Sequence, residues 1–304
     1  MVNINININI NNMEIINHIK ENYSYEGILH VLIIIVIVTL LYIYYRFNRK
    51  AYKTSISILC IKPSPILVDF LKDLDAYHKQ NNLQYDIFLV CDDTSETYYI
   101  DEHIKVIQID RDICKQSGYY NMTSKHFQKN YGTDIVSWDK IMYYLCHNNN
   151  YDYNWILEED VFIPHVETIH KINSKYTGDL LTSTNNINKN GDISEWHWSN
   201  EIYRADKTAY FNPPWYSSMV CACRLSNNLI NEIRKFVVKE DTLMFLEIFF
   251  NTLSLKTGLH VETPIELTNI VYRKNYTFDD INIDYLYHPI KDLTIQNKYR
   301  SILK

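Results

Sequence analysis

The chain has few of the residues on which phosphate-binding loops and nucleic-acid surfaces depend. Only 6 of its 304 residues are glycine, and no glycine-rich phosphate loop is present. This absence disfavours a nucleotidyltransferase. Lysine and arginine number 30 against 36 acidic residues, and they form no basic stripe that would follow a phosphate backbone. We therefore exclude nucleic acid as the main partner.

The cysteines also lack a metal-binding pattern. There are six of them, and only Cys221 and Cys223 are close together in the sequence. No paired C-x-x-C spacing occurs. Cys60 and Cys91 lie within apolar, strand-like runs, where a thiol usually behaves as a small buried hydrophobic group. Disulfides are compatible with this sequence but are not required by it.

Charge is missing from one long segment near the N-terminus. From Gly27 to Tyr45 there is no Asp, Glu, Lys or Arg. A helix of ~20 apolar residues crosses the ~30 Å of a bilayer core, and terminal tyrosines suit the membrane interface. We predict a low-complexity leader over 1–26, one transmembrane helix over 27–46 and a linker over 47–54.

The orientation of this predicted span stays open. Arg46, Arg49 and Lys50 follow the apolar segment, and the positive-inside rule then assigns the large C-terminal part to the cytosol. Sequons at Asn121 and Asn275 favour the lumenal side instead. The sequence predicts a single-pass membrane protein without deciding the side of its main domain.

After the linker, apolar runs of strand and helix character alternate. Strands are predicted over 54–61, 85–91 and 104–109, and helices over 66–80 and 136–147. This order predicts an α/β domain over 55–304. Several of the strands end in carboxylates, and ligands bind at that edge of open α/β sheets.

The most informative stretch is an acidic triplet at the end of a strand. The apolar run that ends at Leu157 is followed directly by Glu158, Glu159 and Asp160. Carboxylates at the edge of an apolar core repel one another unless they hold a cation. Because side chains alternate along an extended strand, Glu158 and Asp160 are expected to share one Mn²⁺ or Mg²⁺. A solvated acidic turn is the alternative.

This triplet, with Trp138-Asp-Lys140 before it and His288-Pro-x-Lys291 after it, resembles the GT-A-type glycosyltransferases. The resemblance extends over roughly 55–291. It implies a single Rossmann-like domain with a mixed central sheet, and Mn²⁺ (or Mg²⁺) held by Glu158, Asp160 and His288 against a nucleotide-sugar diphosphate. Glutamate at the first position departs from the stricter Asp-x-Asp motif. A lysine such as Lys291 can help the cation to neutralise the charge on the leaving diphosphate.

Three further residues are candidates for binding the nucleotide. Asp92 and Asp93 end the second strand, where the resemblance implies an acid near the base or ribose. An Asp-rich turn is the alternative for this pair. Lys140 is a candidate for a phosphate contact, or else a lysine that extends to solvent.

The proposed catalytic base is an acid within an apolar helix. Glu247 lies between bulky apolar residues in the segment 245–250. A carboxyl in such surroundings is usually paired with a polar or charged group, or else has a catalytic function. It is the first candidate for deprotonating an acceptor hydroxyl. Glu240 and Asp241 are the competing pair, or else the N-cap of a following helix. A retaining enzyme needs no dedicated base.

The function predicted from the sequence is a membrane-anchored, divalent-metal-dependent glycosyltransferase. It would move a sugar from a nucleotide-sugar donor to a hydroxyl of a glycan, protein or lipid acceptor. Aromatic residues at 195–198 and 212–216 suit stacking against a sugar ring, or else belong to the core. The alternative function is an inactive, membrane-tethered sugar-binding or scaffolding protein of the same fold.

Overall fold

The structure is a computed structural model that describes residues 25–47, 52–148, 150–184, 188–203 and 210–303. The chain divides into two compact units, and the second begins at Tyr52. The first unit contains helix α1, Tyr25–Phe47. Most of the predicted leader lies outside the described residues.

The membrane span predicted over 27–46 is not confirmed. Among the residues that the structure describes, no helix has the combined length and apolar character needed to cross a membrane. The transmembrane helix therefore stays a prediction.

The second unit is built on a mixed seven-stranded sheet. Its strand order is β3-β2-β1-β4-β6-β5-β7, and its strands are β1 Thr54–Cys60, β2 Tyr85–Cys91, β3 Ile104–Ile107, β4 Tyr153–Glu158, β5 Leu180–Leu181, β6 Ala222–Ser226 and β7 Val261–Glu262. Strand β4 pairs in parallel with β1 and antiparallel with β6. The predicted α/β class and the mixed central sheet are confirmed.

Helices cover both faces of this sheet. They are α2 Pro65–Gln80, α3 Arg111–Gln116, α4 Lys125–Tyr131, α5 Ser137–His147, α6 Thr168–Lys175, α7 Asn227–Glu240, α8 Leu246–Lys256 and α9 Leu293–Leu303. Along β4, Ile156 packs into one apolar cluster, while Trp155 and Leu157 pack into another. Burial of both faces explains why β4 is a continuous apolar run rather than an alternating one.

The sequence prediction located the parallel half of the sheet better than the antiparallel half. Strand β2 has the predicted bounds, whereas no strand was predicted over Ala222–Ser226. Helix α7 begins only at Asn227 because Ser226 caps it, its hydroxyl accepting a hydrogen bond from the Leu229 N–H at 3.2 Å. The five residues before the helix are therefore free to pair with β4 as a strand.

A small second sheet brings the C-terminal segment to the end of β4. It consists of β8, Asn269–Ile270, and β9, Tyr287–His288, in parallel. The Phe162 N–H donates to the Tyr287 carbonyl at 2.8 Å, and the Ile290 N–H donates to the Asp160 carbonyl at 2.8 Å. These bonds hold His288 beside the acidic triplet although the two lie far apart in the sequence.

Candidate active site

A cavity of about 630 Å³ opens where β1, β2 and β4 end. Six of the residues predicted from the sequence line it: Asp92, Glu158, Asp160, Glu247, His288 and Lys291. The carboxyl ends of the parallel strands deliver the first of these acids to one edge, as expected for an α/β sheet. The cavity therefore collects titratable side chains from four separate parts of the chain.

Glu158 is the last residue of β4 and is held by two neighbours. The Trp138 indole N–H donates to its Oε1 at 2.8 Å, while its Oε2 lies 3.7 Å from His288 Nε2. Burial and the adjacent Asp160 raise the pKa of Glu158, which His288 partly offsets. One carboxylate oxygen is therefore fixed by the protein, and the other faces the cavity.

Asp160 reaches the site by a route that differs from the prediction. The strand ends at Glu158, and the Val161 N–H donates to the Glu158 carbonyl at 2.9 Å to close a turn. Alternation along an extended chain therefore does not apply to Asp160. The turn instead places its Oδ1 3.3 Å from His288 Nε2.

His288 presents a defined nitrogen to the two carboxylates. Its Nδ1 lies 2.7 Å from the Val271 carbonyl oxygen, which only a protonated ring nitrogen can contact favourably. Nε2 is then the nitrogen that faces Glu158 and Asp160. Burial lowers the pKa of His288, but Asp160 and Glu158 raise it by more, and the net pKa is raised.

The thiol of Cys221 is a further metal-binding candidate that the sequence did not single out. Ligand atoms of Glu158, Cys221 and His288 all lie within 4.8 Å of one another. Burial and the carboxylates of Glu158 and Glu247 raise the pKa of the Cys221 thiol well above its ordinary value. This proximity depends on the unpredicted strand β6, so spacing along the chain gave no signal for it.

The donor set fits a divalent cation. Two carboxylates and an imidazole whose Nδ1 is held by a backbone carbonyl are the usual ligands and outer support of a protein metal site. Asp160 and Glu158 also favour the protonated form of His288, the charge that a bound cation would replace. Glu158, Asp160 and His288 are the predicted ligands that the structure brings together.

Glu247 enters the same cavity from the first turn of α8. Burial and the nearby charge of Glu158 raise its pKa to about 8, with His288 acting in the opposite direction. It also lines a smaller pocket of about 60 Å³ with Trp196, Trp198 and Tyr272. This acid therefore lies between the carboxylate cluster and an aromatic wall.

Asp92 lines the cavity, whereas Lys140 supports it from behind. Burial raises the pKa of Asp92 to about 6, although Lys140 lowers it. Lys140 is fully buried, and its Nζ donates to the carbonyl oxygens of Cys91 at 3.1 Å and Asp92 at 2.7 Å. Lys140 thus neither extends to solvent nor lines the cavity; it ties α5 to the end of β2.

Asp93 and Asp241 are not among the residues that line this cavity. Asp93 accepts hydrogen bonds from the Ser95 N–H at 2.9 Å and the Tyr98 hydroxyl at 2.6 Å, which fits the alternative of an Asp-rich turn. Asp241 is the C-cap of α7 with a φ of 52°. The N-cap interpretation of this acidic pair is wrong, because a helix ends there rather than begins.

Asp139 is a buried acid for which the sequence predicted no role of its own. It accepts hydrogen bonds from the Met122 N–H at 3.0 Å and the Val136 N–H at 2.9 Å. Burial raises its pKa to about 8. By holding Met122, it fixes the backbone just before Thr123 and Ser124, both of which line the cavity.

Comparison with known proteins gives matches to solved structures alone. No protein-family model matches the chain, and no curated protein sequence matches it. Two structures of the galactosyltransferase LgtC are similar to it. One is a complex with donor and acceptor sugar analogues, with a TM-score of 0.41 and 10% identity, and the other is an active-site mutant, with 0.42 and 11%.

Each match covers 82% of this chain and 95% of the LgtC chain. At this identity and TM-score the similarity concerns the course of the backbone only. What LgtC binds is a property of LgtC, and the chemistry of this chain has to be argued from its own residues.

Proposed function

We propose that the protein is a divalent-metal-dependent glycosyltransferase that moves a sugar from a nucleotide-sugar to an acceptor hydroxyl. The main support for this proposal is that two carboxylate oxygens lie close to His288 Nε2. Glu158 Oε2 is 3.7 Å from this nitrogen and Asp160 Oδ1 is 3.3 Å from it. These residues share one cavity with Glu247. A cation can stabilise a departing diphosphate, and a nearby carboxylate can accept the proton of an acceptor hydroxyl.

Glu158, Asp160 and His288 are the residues that would hold the cation. A bound Mn²⁺ or Mg²⁺ would neutralise the charge that develops on the departing nucleoside diphosphate. Lys291, exposed at the rim of the cavity, adds a second positive charge on the same side. Asp92, which also lines the cavity, is the residue proposed to accept hydrogen bonds from the base or ribose.

Glu247 is the proposed proton acceptor. In an inverting transfer, the acceptor oxygen bonds to the anomeric carbon as the bond to the diphosphate breaks, and Glu247 takes the hydroxyl proton. The neighbouring indoles of Trp196 and Trp198 offer faces against which the C–H face of an acceptor sugar can stack. A retaining transfer would use this wall for binding without needing the base.

We also propose that the enzyme is anchored by a single pass over 27–46. The support is the sequence of residues 27–45, which contains no Asp, Glu, Lys or Arg. An anchored enzyme would act on glycan, protein or lipid acceptors close to the membrane surface. The proposal does not specify the side of the membrane.

The test uses the full-length chain purified in detergent and incubated with UDP-, GDP-, CMP- and ADP-linked sugars. We expect transfer or hydrolysis with one donor class, only when Mn²⁺ or Mg²⁺ is present. Asp160→Asn should abolish this activity by removing one cation ligand. The matched control is Asp110→Asn, an exposed acid-to-amide change at the N-cap of α3, where asparagine also caps well.

Binding of the nucleotide can be measured separately by thermal shift. A ligand at a hundred times its dissociation constant adds ~2.7 kcal/mol to the stability of the native state. We expect one nucleoside diphosphate to stabilise the protein only with metal. Activity that withstands both EDTA and Asp160→Asn would contradict the proposed metal role.

A further inference from the structure

Among the described residues, the three whose metal-binding atoms all lie close together differ by one residue from the three ligands predicted from the sequence. Glu158, Cys221 and His288 each offer an atom within 4.8 Å of the other two. Asp160 contacts His288 at 3.3 Å but does not belong to that group. A thiol therefore occupies a place in the ligand set where an oxygen was expected.

The fold holds all three side chains in place. The Glu158 N–H donates to the Cys221 carbonyl at 2.9 Å, so the two residues face each other across the ends of β4 and β6. Trp138 holds one Glu158 oxygen at 2.8 Å, and the Val271 carbonyl orients His288. Cys221 and His288 are 7% and 6% exposed, which keeps both away from competing solvent.

We propose that Cys221 Sγ is a ligand of the metal bound at this centre, completing a thiolate, imidazole and carboxylate site that binds Zn²⁺ or Co²⁺ more tightly than Mn²⁺. Thiolate and imidazole ligands favour Zn²⁺, whereas Mn²⁺ prefers oxygen. In a tetrahedral site with Zn–S at ~2.3 Å and Zn–N at ~2.1 Å, the sulfur and nitrogen lie ~3.6 Å apart. The ligand atoms, now within 4.8 Å of one another, would therefore move together by at most ~1.2 Å to close the site.

The proposal deepens the metal role in the proposed function and rests on it for its relevance to catalysis. On binding, the Cys221 S–H proton and any proton on His288 Nε2 are released to solvent, which leaves a thiolate sulfur and a neutral imidazole nitrogen as ligands. The oxygen-rich set with Asp160 and the thiolate set with Cys221 share Glu158 and His288. Zn²⁺ and Mn²⁺ should therefore compete for one place, and Zn²⁺ should displace Mn²⁺.

The test is a titration of the full-length, metal-free protein with Co²⁺, followed by ultraviolet and visible absorption. A cobalt–thiolate bond gives a charge-transfer band in the near ultraviolet, which oxygen and nitrogen ligands do not give. We expect this band to saturate at one equivalent of Co²⁺ and to disappear on addition of Zn²⁺. Cys221→Ser should lose the band.

The matched control is Cys223→Ser, the same change at a buried thiol two residues further along the chain, outside the ligand group. It should keep the band. Cobalt binding without a thiolate band, a band that survives in Cys221→Ser, or no cobalt binding at all would each overturn the proposal.

A second measurement needs no variant, in case Cys221→Ser does not fold. X-ray absorption at the zinc edge of the wild-type protein should show a sulfur neighbour at ~2.3 Å. A shell of only oxygen and nitrogen would overturn the proposal. Sugar transfer with Mn²⁺ and no sulfur ligation would leave the proposed function standing, whereas a thiolate band without any turnover would refute the function and keep the metal site.

Discussion

At the scale of single residues, Glu247 shows how burial shapes a candidate base. Its carboxyl lies among apolar neighbours and close to the charge of Glu158, and the two together raise its pKa from an ordinary 4.5 to about 8. A carboxyl with such a pKa is protonated at neutral pH until a positive charge enters the cavity. Binding of a cation is expected to lower this pKa and so prepare Glu247 to accept a proton.

We predict that Glu247→Gln removes the acid limb of the pH profile. In the wild-type protein kcat/KM should rise with pH and level off at or below about 8, as Glu247 ionises. The variant should lose ~10²- to 10⁴-fold in kcat, the usual contribution of general base catalysis. A variant with unchanged rate and pH profile would exclude Glu247 as the base.

Glu247 also predicts how stability changes with pH in the metal-free protein. Because its pKa is about 8 when folded and 4.5 ordinarily, the folded state binds the proton more tightly than the unfolded state. The contribution of Glu247 to the free energy of unfolding should therefore be largest below pH 4.5. It should decrease as the pH rises towards 8.

This trend can be measured by urea denaturation in EDTA across that pH range. Glu247→Gln should make the decline shallower. His288, whose pKa is also raised, acts in the same direction and should leave part of the decline in the variant. A slope identical in both proteins would show that Glu247 is not buried as a neutral acid.

At the scale of elements, the site lies where the end of β4, the beginning of β6 and strand β9 come together. The sequence predicted the first of these, since an apolar run ending in acids is readable from local pattern alone. It did not predict β6, because Ala222–Ser226 is short and is followed directly by helix α7. The helical spacing of apolar residues in α7 is the stronger signal in any stretch of sequence that includes both. Cys221 was missed for the same reason.

His288 was placed correctly among the cavity residues only through its resemblance to a family motif. Its partners are fixed by a two-residue parallel bridge between β8 and β9, and no local propensity predicts so short a pairing. Lys140, in contrast, was predicted from its position in the sequence and was placed wrongly. A lysine one helix before the acids looks like a phosphate ligand, but tertiary packing buries it completely.

We predict that Lys140→Met destabilises the protein by about 1–3 kcal/mol. The substitution leaves the Cys91 and Asp92 carbonyls without their donor and removes the positive charge that lowers the pKa of Asp92. Urea denaturation measures the change, with Lys129→Met on exposed α4 as the control. Unchanged stability with lost nucleotide binding would instead make Lys140 a ligand-binding residue.

At the scale of the whole molecule, the two units have different compositions. The segment 27–45 carries no charged residue, whereas the unit from Tyr52 onward carries the α/β sheet and the acidic cavity. The net charge of −6 keeps the protein from binding polyanions in general. In the proposed function, a bound cation and Lys291 would supply the local positive charge that attracts a diphosphate.

The predicted membrane anchor can be tested by separating membranes from soluble protein. We expect the full-length chain to sediment with membranes and to resist extraction by alkaline carbonate, because ~20 apolar residues across the bilayer bind almost irreversibly. Replacing two central residues of the apolar segment, Ile35→Lys and Val38→Lys, should cost ~2.5–3.5 kcal/mol each on insertion and release the protein. The control Asn22→Lys lies outside that segment. Release of the wild-type chain by carbonate would refute the anchor and leave the glycosyltransferase proposal to be judged on turnover alone.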